Sequence, residues 1–458
     1  MQGRYTTLEL LYDNAPISAD VAAEVESFTY TDSAADSADS VSITINARDG
    51  ARWLGSWMPK KGARLHPVLR GKNWIVQGDS LAMDCGTLLL DSMSYSDAPG
   101  AMEIAGIARP SDTDFSERDR GDVWRNTSTK RIAQDIAARY GLGFGYDADE
   151  YPIEAIEQDG PDSDFLARLC DTYGLVLKTY SGRLWVYDRE QYKAKAAVQT
   201  FRRTGAEGDP NVIVPGTFRW TTDMAGTYTR GYFSYTDPDK DMDITASVGS
   251  GNRTKDLNQR ADSIADAAAQ LVAALNNANH GKTKISFTVR GNFTIASAQT
   301  VQLEGFGLLD GKYFVDEVQH EMSRGSGYTC AISASQVTEP FYAWQVGGNI
   351  VYNQPETEVY SGGYTSNYAT TSPAASAAST AMAKKGGTAG AALTLKNCPL
   401  YYTSVIKTMT RRISGTYWLY DGILVNGRYR ITNAPSRCGK LPVGTNVTGW
   451  VNPSDIGL

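Results

Sequence analysis

The sequence predicts a mainly β chain with an α+β insert and a small separate β module at its C-terminal end. Three observations carry that prediction. Residues 302–333, QLEGFGLLDGKYFVDEVQHEMSRGSGYTCAIS, hold two successive hairpin patterns, with Asp310-Gly311 supplying one tight turn and Gly325-Ser326-Gly327 a second. Between 108 and 199 the apolar spacing changes from two to three and four. Between 341 and 390 the composition shifts to Gly, Ser, Thr, Ala, Asn and Tyr. Such a run cannot bury enough apolar surface to offset its ordering entropy, so it reads as a flexible linker, with a short helix expected at 374–385.

The chain has 458 residues, 41% hydrophobic and 21% charged, enough for three or four domains. It lacks an apolar run of about 18 residues, and MQGRYTTLELLYD has neither the basic start nor the apolar block of a secretory signal. Neither a membrane segment nor export through the general secretory route is expected. Cys85, Cys170, Cys330, Cys398 and Cys438 form no CxxC or zinc spacing, and are expected to be mostly reduced and buried. Only Cys398 and Cys438 share the C-terminal module, and spacing does not decide whether they pair. The net charge of -7 is unevenly divided: eight basic residues against Asp421 and Asp455 give the part after 390 a charge of +6. The preceding 390 residues therefore carry -13, so the two parts suit different partners, the basic one something anionic.

In chain order, residues 1–107 read as short strands at 5–12, 24–30, 41–45, 66–69, 74–76, 88–90 and 102–107, with TDSAADSADS as a loop; this suits a small barrel or sandwich. Residues 108–199 form the α+β domain. A helix at 129–140 places Ile132, Ile136 and Tyr140 on one face and ends at Gly141; a second, after Asp162, carries Phe165, Leu166 and Leu169 and ends at Gly174. A hairpin at 175–187 turns on Ser181-Gly182. Residues 200–340 return to strands at 216–222, 228–235, 285–289 and the opening stretch, with a helix expected over 255–276 from Leu257, Ala261, Ile264, Ala268, Leu271 and Leu275. Residues 391–458 have the size and strand count of a small SH3-type barrel, with strands expected at 412–415, 417–424, 428–431 and 447–451.

No active site emerges from the residues. His66, His280 and His320 are dispersed, and core or surface roles are expected for them. Asp237, Asp239, Asp241 and Asp243 alternate like a calcium loop, but Met242 and Val248 stand where glycine and a bidentate glutamate are needed. Gly141, Gly143 and Gly145 follow a helix instead of opening one, and read as a helix end and a turn. Neither a nucleophile elbow nor a Walker sequence is present. The expectation is a chain that is not an enzyme, with no cofactor, no metal and no recognition of nucleic-acid sequence. Carboxylates are plentiful, and a cleft pairing two of them for glycosidic cleavage stays open on sequence alone.

Three stretches together resemble the tail hub proteins of bacteriophages, the family of the late control protein D and the T4-type baseplate hub. The first is Ala38-Asp39-Ser40-Val41-Ser42-Ile43 with Asp49, Trp53, Pro59 and Gly62, which looks like that family's strand followed by a solvent-facing tryptophan loop. The second is Ser163-Asp164-Phe165-Leu166-Ala167-Arg168-Leu169 with Tyr173-Gly174-Leu175 and Gly182-Arg183-Leu184. The third is Gly305-Phe306-Gly307, Asp310-Gly311-Lys312-Tyr313, Val315, Val318, His320 and Gly327-Tyr328. The resemblance covers about residues 1–340. It implies two related tube-type β-barrels per chain, with 285–289 and 302–333 as the counterpart of 41–107, and a homotrimer whose six barrels form a ring. Such a ring would adapt a sixfold tail tube to a threefold spike, with the tube protein, the spike protein and other baseplate proteins as partners, in a virion or tail-like particle assembled in the bacterial cytoplasm.

The last module resembles bacterial SH3-type domains through Tyr420-Asp421-Gly422, the run from Asn426 to Asn433, Val443-Gly444 and Gly449-Trp450-Val451. That resemblance implies binding to a cell-wall polymer. Tyr417, Trp418, Arg428, Tyr429, Arg430 and Trp450 are the candidate residues, by ring stacking and charge; core positions are the alternative for Tyr429 and Trp450. Two other readings stay open: a cell-wall-degrading tail enzyme with its catalytic part in 108–200, and a plain adhesin.

Overall fold

The computed structural model describes residues 3–352, 390–401, 411–438 and 447–456, apart from positions 18, 36, 99, 109, 111, 112, 207, 225, 238–241, 326 and 426. Residues 353–389 of the linker expected at 341–390, with its short helix, and Asp239, Asp241, Asn426, Val443 and Gly444, lie outside the described residues. The chain divides into two compact units, a large one that runs to Val351 and a small one that holds the C-terminal strands. Strands dominate both.

The first strand set comprises β1 (Tyr5–Tyr12), β2 (Val25–Ser33), β3 (Ser40–Asn46), β4 (Arg64–Lys72), β5 (Leu88–Ser96) and β6 (Ala101–Ile107). Each alternates: in β2, Phe28 and Tyr30 are buried while Thr29 and Thr31 face outward, as the two-residue period requires. Residues 74–76, expected as a strand, instead form a turn, because the Asp79 carboxylate accepts from the backbone N–H groups of Trp74, Ile75 and Val76 at 2.6, 2.7 and 3.0 Å. Trp53 is not solvent-facing. Asp49 caps the short helix Gly50–Trp53, and the indole is 2% exposed, donating to the Glu24 carboxylate at 2.8 Å.

The α+β domain follows. Helix α1 (Thr129–Arg139) starts where the Ser128 side chain accepts from the N–H of Arg131, and ends at Gly141, whose φ of 63° only glycine adopts without strain. Helix α2 (Asp162–Thr172) leads into the hairpin β7 (Leu175–Tyr180) and β8 (Arg183–Asp188). Gly143–Asp147, read from sequence as part of a turn, is a strand parallel to β8; Gly145 leaves room for Trp185 to lie across it, and Gly143 for the stem of Arg183.

The second strand set comprises β9 (Gln199–Arg202), β10 (Arg219–Thr222), β11 (Thr283–Arg290), β12 (Thr300–Glu304), β13 (Gly311–Ser323) and β14 (Gly327–Gln336). Helix α3 (Ile264–Asn279) and three short strands are inserted between β10 and β11. The helix starts nine residues later than its apolar stripe suggests, because Ser263 is the cap and Thr254–Leu257 is a strand. Asp310-Gly311 is not a two-residue hairpin turn: Gly307–Leu309 forms a 3₁₀ turn, and the Asp310 carboxylate closes it by accepting from the N–H of Phe306 at 2.6 Å. The pairings β11–β14–β13–β12–β9 continue through bridges from Arg202 to Val212 and from Ile213 back to Val289, which close a ring.

Both strand sets belong to one fourteen-stranded sheet, because β13 pairs with β2 as well as with β14 and β12. One hydrophobic core runs under that sheet, from Leu69 and Ile104 to Phe287 and Leu303.

In the small unit, β15 (Ala392–Leu400), β16 (Arg411–Val425), β17 (Arg428–Thr432) and β18 (Gly449–Val451) pair in that order. Tyr401 and Trp450 exchange two backbone hydrogen bonds of 2.9 Å, which returns the last strand to the first. The two strands expected at 412–415 and 417–424 are one continuous strand, and Ala343–Gln345 and Gly347–Tyr352 are ordered elements inside the stretch read as linker.

A shared core has a thermodynamic consequence. Phe28→Ala removes a fully buried ring and is expected to cost about 3–5 kcal/mol. Hydrogen exchange should then quicken in β11 and β14 as well as in β2 and β3. Loss of protection confined to the first set would contradict the single core.

Candidate functional site

The two strand sets meet at a seam where β13 pairs with β2. Strand β13 offers one edge to two partners in succession. Residues 311–314 pair with β12; after a bulge between Val315 and Glu317, residues 317–323 pair with β2, in the register Gln319 to Thr31, His320 to Tyr30 and Glu321 to Thr29. On the buried face the His320 ring stacks on Tyr30 at 6.0 Å and on Tyr328 at 6.1 Å, and its Nδ1 lies 2.9 Å from the Tyr328 hydroxyl. Burial lowers the His320 pKa to about 4, so the ring is neutral near pH 7.

Beside the seam, Lys178 of β7 inserts its ammonium among groups from both strand sets. It donates to Asp32 at 2.5 Å, to Asp39 at 2.9 Å, to the Ser33 carbonyl at 2.7 Å and to Ser297 at 3.1 Å. One cation faces two carboxylates, and their surroundings decide which stays charged. Asp32 also accepts from the N–H and hydroxyl of Ser297, at 2.7 and 2.6 Å. Burial works against its charge, but Lys178 and these bonds hold its pKa below the usual carboxylate value. Asp39 accepts from the Tyr30 hydroxyl and the Ser33 N–H, and burial and the neighbouring Asp32 raise it to about 6 despite Lys178. The arrangement fastens the α+β domain to both strand sets.

The two strand sets repeat each other at the level of single hydrogen bonds. In the first, β5 is bulged between Leu90 and Ser92, as β13 is between Val315 and Glu317, and an aspartate, Asp91 or Asp316, occupies each bulge. Just before it, Leu90 exchanges backbone hydrogen bonds with Ala63 and Gly62, and Val315 with Gln299 and Ala298, all four at 2.8–2.9 Å. Gly62 and Ala298 share a left-handed conformation, with φ of 78° and 59°. The pairing order β2–β3–β6–β5–β4 matches β10–β11–β14–β13–β12. Ser42 opposite Ala105 thus corresponds to Ser286 opposite Ser333, and Tyr30 opposite Val41 to Trp220 opposite Ile285.

A cleft lies at the same place in each set. One of about 280 Å³ is lined by Thr29, Thr31, Ser42, Asp91, Ala105 and Gly106, and one of about 420 Å³ by Arg219, Thr221, Ser286, Asp316, Ser333 and Ala334 at the matching positions. Gln319 of β13 also lines the smaller cleft.

In the α+β domain, the buried carboxylate of Asp162 is bound by Arg120 and Arg139, both at 2.9 Å, and by Tyr140 and Gln158, both at 2.7 Å. Burial opposes its charge, but these partners hold its pKa down, so it acts as an internal brace. His66 contacts Asp84 at 3.0 Å and His280 contacts Asp316 at 2.9 Å. Among the described residues no group of His, Cys, Asp and Glu gathers in a metal-binding arrangement. Cys398 and Cys438 are both free thiols.

The candidates in the small unit separate. Tyr429 is 1% exposed and part of the core, so its ring cannot stack on a ligand; this corrects its place among the wall-binding candidates. Tyr417, Trp418 and Trp450 are half-buried. The Arg428 guanidinium lies over the Tyr401 ring at 3.5 Å, and Arg430 lies over Trp450 at 5.2 Å and 3.3 Å from the Asp421 carboxylate. The seam itself had little signal in the sequence. The repeated bulge aspartates are the clue that a comparison of the two halves could have used.

No family model matches the chain, and no curated protein matches it. In fold it is similar to the tail protein from Neisseria meningitidis MC58, with a TM-score of 0.55 and 14% identity over 72% of this chain and 97% of that one. The 43 kDa tail protein of prophage MuSo2 from Shewanella oneidensis gives the same TM-score and identity over 72% of this chain and 98% of its own. At that identity the likeness is one of fold.

The Asp39 shift has a definite sign. Between 3.8 and about 6 the folded chain holds a proton that the unfolded chain has released, so this group's contribution to stability falls as pH rises through that window. Asp39→Asn removes the loss, which is on the order of 3 kcal/mol. The variant's Tm relative to the wild type should rise from about pH 4 to about pH 6 and then level off. His320 acts in the opposite direction in both proteins and cancels in the comparison. A difference independent of pH would contradict the assignment.

Proposed function

We propose that the chain is a structural hub of a phage tail or related injection particle, assembling as a homotrimer that adapts a sixfold tail tube to a threefold spike. The observation that carries this reading is the repeat: one chain holds two matching strand sets joined edge to edge in one sheet. Three such chains supply six equivalent sets with threefold symmetry, which is what a part between a sixfold and a threefold partner needs. The fold shared with two tail proteins agrees with it. The role is structural, not catalytic: the buried carboxylate of the α+β domain, Asp162, is engaged by Arg120 and Arg139, and the two described clefts lie on the sheet.

The C-terminal module is a tethered contact element for an anionic partner, a cell-wall polymer or another baseplate protein. Its charge of +6 and the half-buried rings of Tyr417, Trp418 and Trp450, with Arg428 and Arg430 beside aromatic faces, support that role.

Light scattering on the full chain should give three times the 49.7 kDa chain mass, with spike protein added if the ring needs it to assemble. A single-chain mass at tens of micromolar with spike present would overturn the trimer. Purified cell walls should sediment the full chain at least tenfold more effectively than a chain ending at residue 352. Equal sedimentation would remove wall polymer as the module's partner.

A further inference from the structure

The seam inside the chain specifies the seam between chains. In the second set β13 uses its edge beyond the bulge to hold β2 of the first set. The matching stretch of β5, residues 92–96, pairs with β6 on one side, and among the described residues no backbone group pairs with its other edge. The counterpart of β2 is β10, which pairs with β11 on one side and is likewise open on the other. The chain thus carries both halves of a second seam, and among the described residues neither half is used.

Trp220 shows the consequence of the empty position. It matches Tyr30, which is 4% exposed under His320, whereas Trp220 is 52% exposed. All four residues of β10 are exposed, an unusual state for an edge strand carrying tryptophan. The position matching His320 is Tyr95, so the partner ring that Trp220 lacks is present on the unpaired edge of β5.

We infer that β5 of one chain pairs with β10 of a second copy, in the register Ser94 to Thr221, Tyr95 to Trp220 and Ser96 to Arg219. The register follows from the internal seam, where Gln319, His320 and Glu321 meet Thr31, Tyr30 and Thr29. Tyr95 then covers Trp220 as His320 covers Tyr30. Ser94 completes the larger cleft as Gln319 completes the smaller one. The contact is head-to-tail, using two different surfaces, so it closes into a ring when the rotation permits and otherwise runs on as an open chain. This inference rests on the trimeric hub reading and names the strands that build it.

The test is a disulfide across the new seam. Ser94 and Thr221 face outward, and Cys438 is the one native cysteine not buried, so Ser94→Cys and Thr221→Cys are combined in a full chain carrying Cys438→Ser. Copper phenanthroline oxidation should yield covalent species up to three chains on a denaturing gel, and each single variant should yield none. A trimer by light scattering without cross-links would overturn the strand pairing and leave the hub. A ladder extending beyond three would support the pairing and overturn the closed ring, and a single-chain mass with spike present and no cross-links would overturn both. Trp220→Asp gives a second readout: the concentration for half-dissociation should rise at least tenfold while the far-ultraviolet spectrum is unchanged. Unaltered association would overturn the role of Trp220.

Discussion

An open sheet edge exposes a row of backbone N–H and C=O groups, and a folded chain must pair, cover or blunt it. In this protein one edge, that of β13, is long enough to serve two strands, and the bulge between Val315 and Glu317 is where it changes partner. The rest of the large unit depends on that change. It merges two strand sets into one sheet, places Phe28 and Phe287 in one core, and brings Asp32 close to Ser297, where Lys178 can reach both. The α+β domain is therefore held by a charge cluster that the seam completes with Ser297.

The repeat is geometric more than chemical. Matched positions carry Ser92 and Glu317, Tyr95 and His320, or Met102 and Cys330, with little in common beyond inward or outward direction. What recurs is what the backbone demands: a bulge, an aspartate in it, and a left-handed residue just before the neighbouring strand that hydrogen-bonds to the residue before the bulge, glycine at 62 and alanine at 298. A non-glycine residue in that conformation costs about 1 kcal/mol or more. Its presence at the second site indicates that the surrounding hydrogen bonds hold the turn in place.

This explains what the sequence revealed. Alternation in 41–45, 285–289 and 313–332 located the core strands, because a strand with one buried face shows its period directly. The apolar spacing of Ile132 and Ile136 before Gly141, and of Phe165, Leu166 and Leu169 before Gly174, marked two helices well, since helical period and a terminal glycine are local signals. Local signals also misled. Leu257 and Ala261 fall in phase with α3 but lie before its cap, Asp310-Gly311 resembles a tight turn that tertiary pairing converts to a longer one, and Trp53 in a polar loop gave no sign that Glu24 would draw its indole inward. The seam was illegible because β13 and β2 lie almost 300 residues apart, and neither has a composition that names its partner. In the small unit the aromatic count was plain, but which rings form the core, as Tyr429 does, depends on the strand pairing.

The proposed assembly places six equivalent strand sets from three chains in one ring. Electron-microscope images of the full chain, viewed down the particle axis, test it most directly. Such a ring gives threefold class averages with six sheet-sized lobes around a central opening. Twofold particles, or particles with three lobes instead of six, would contradict it.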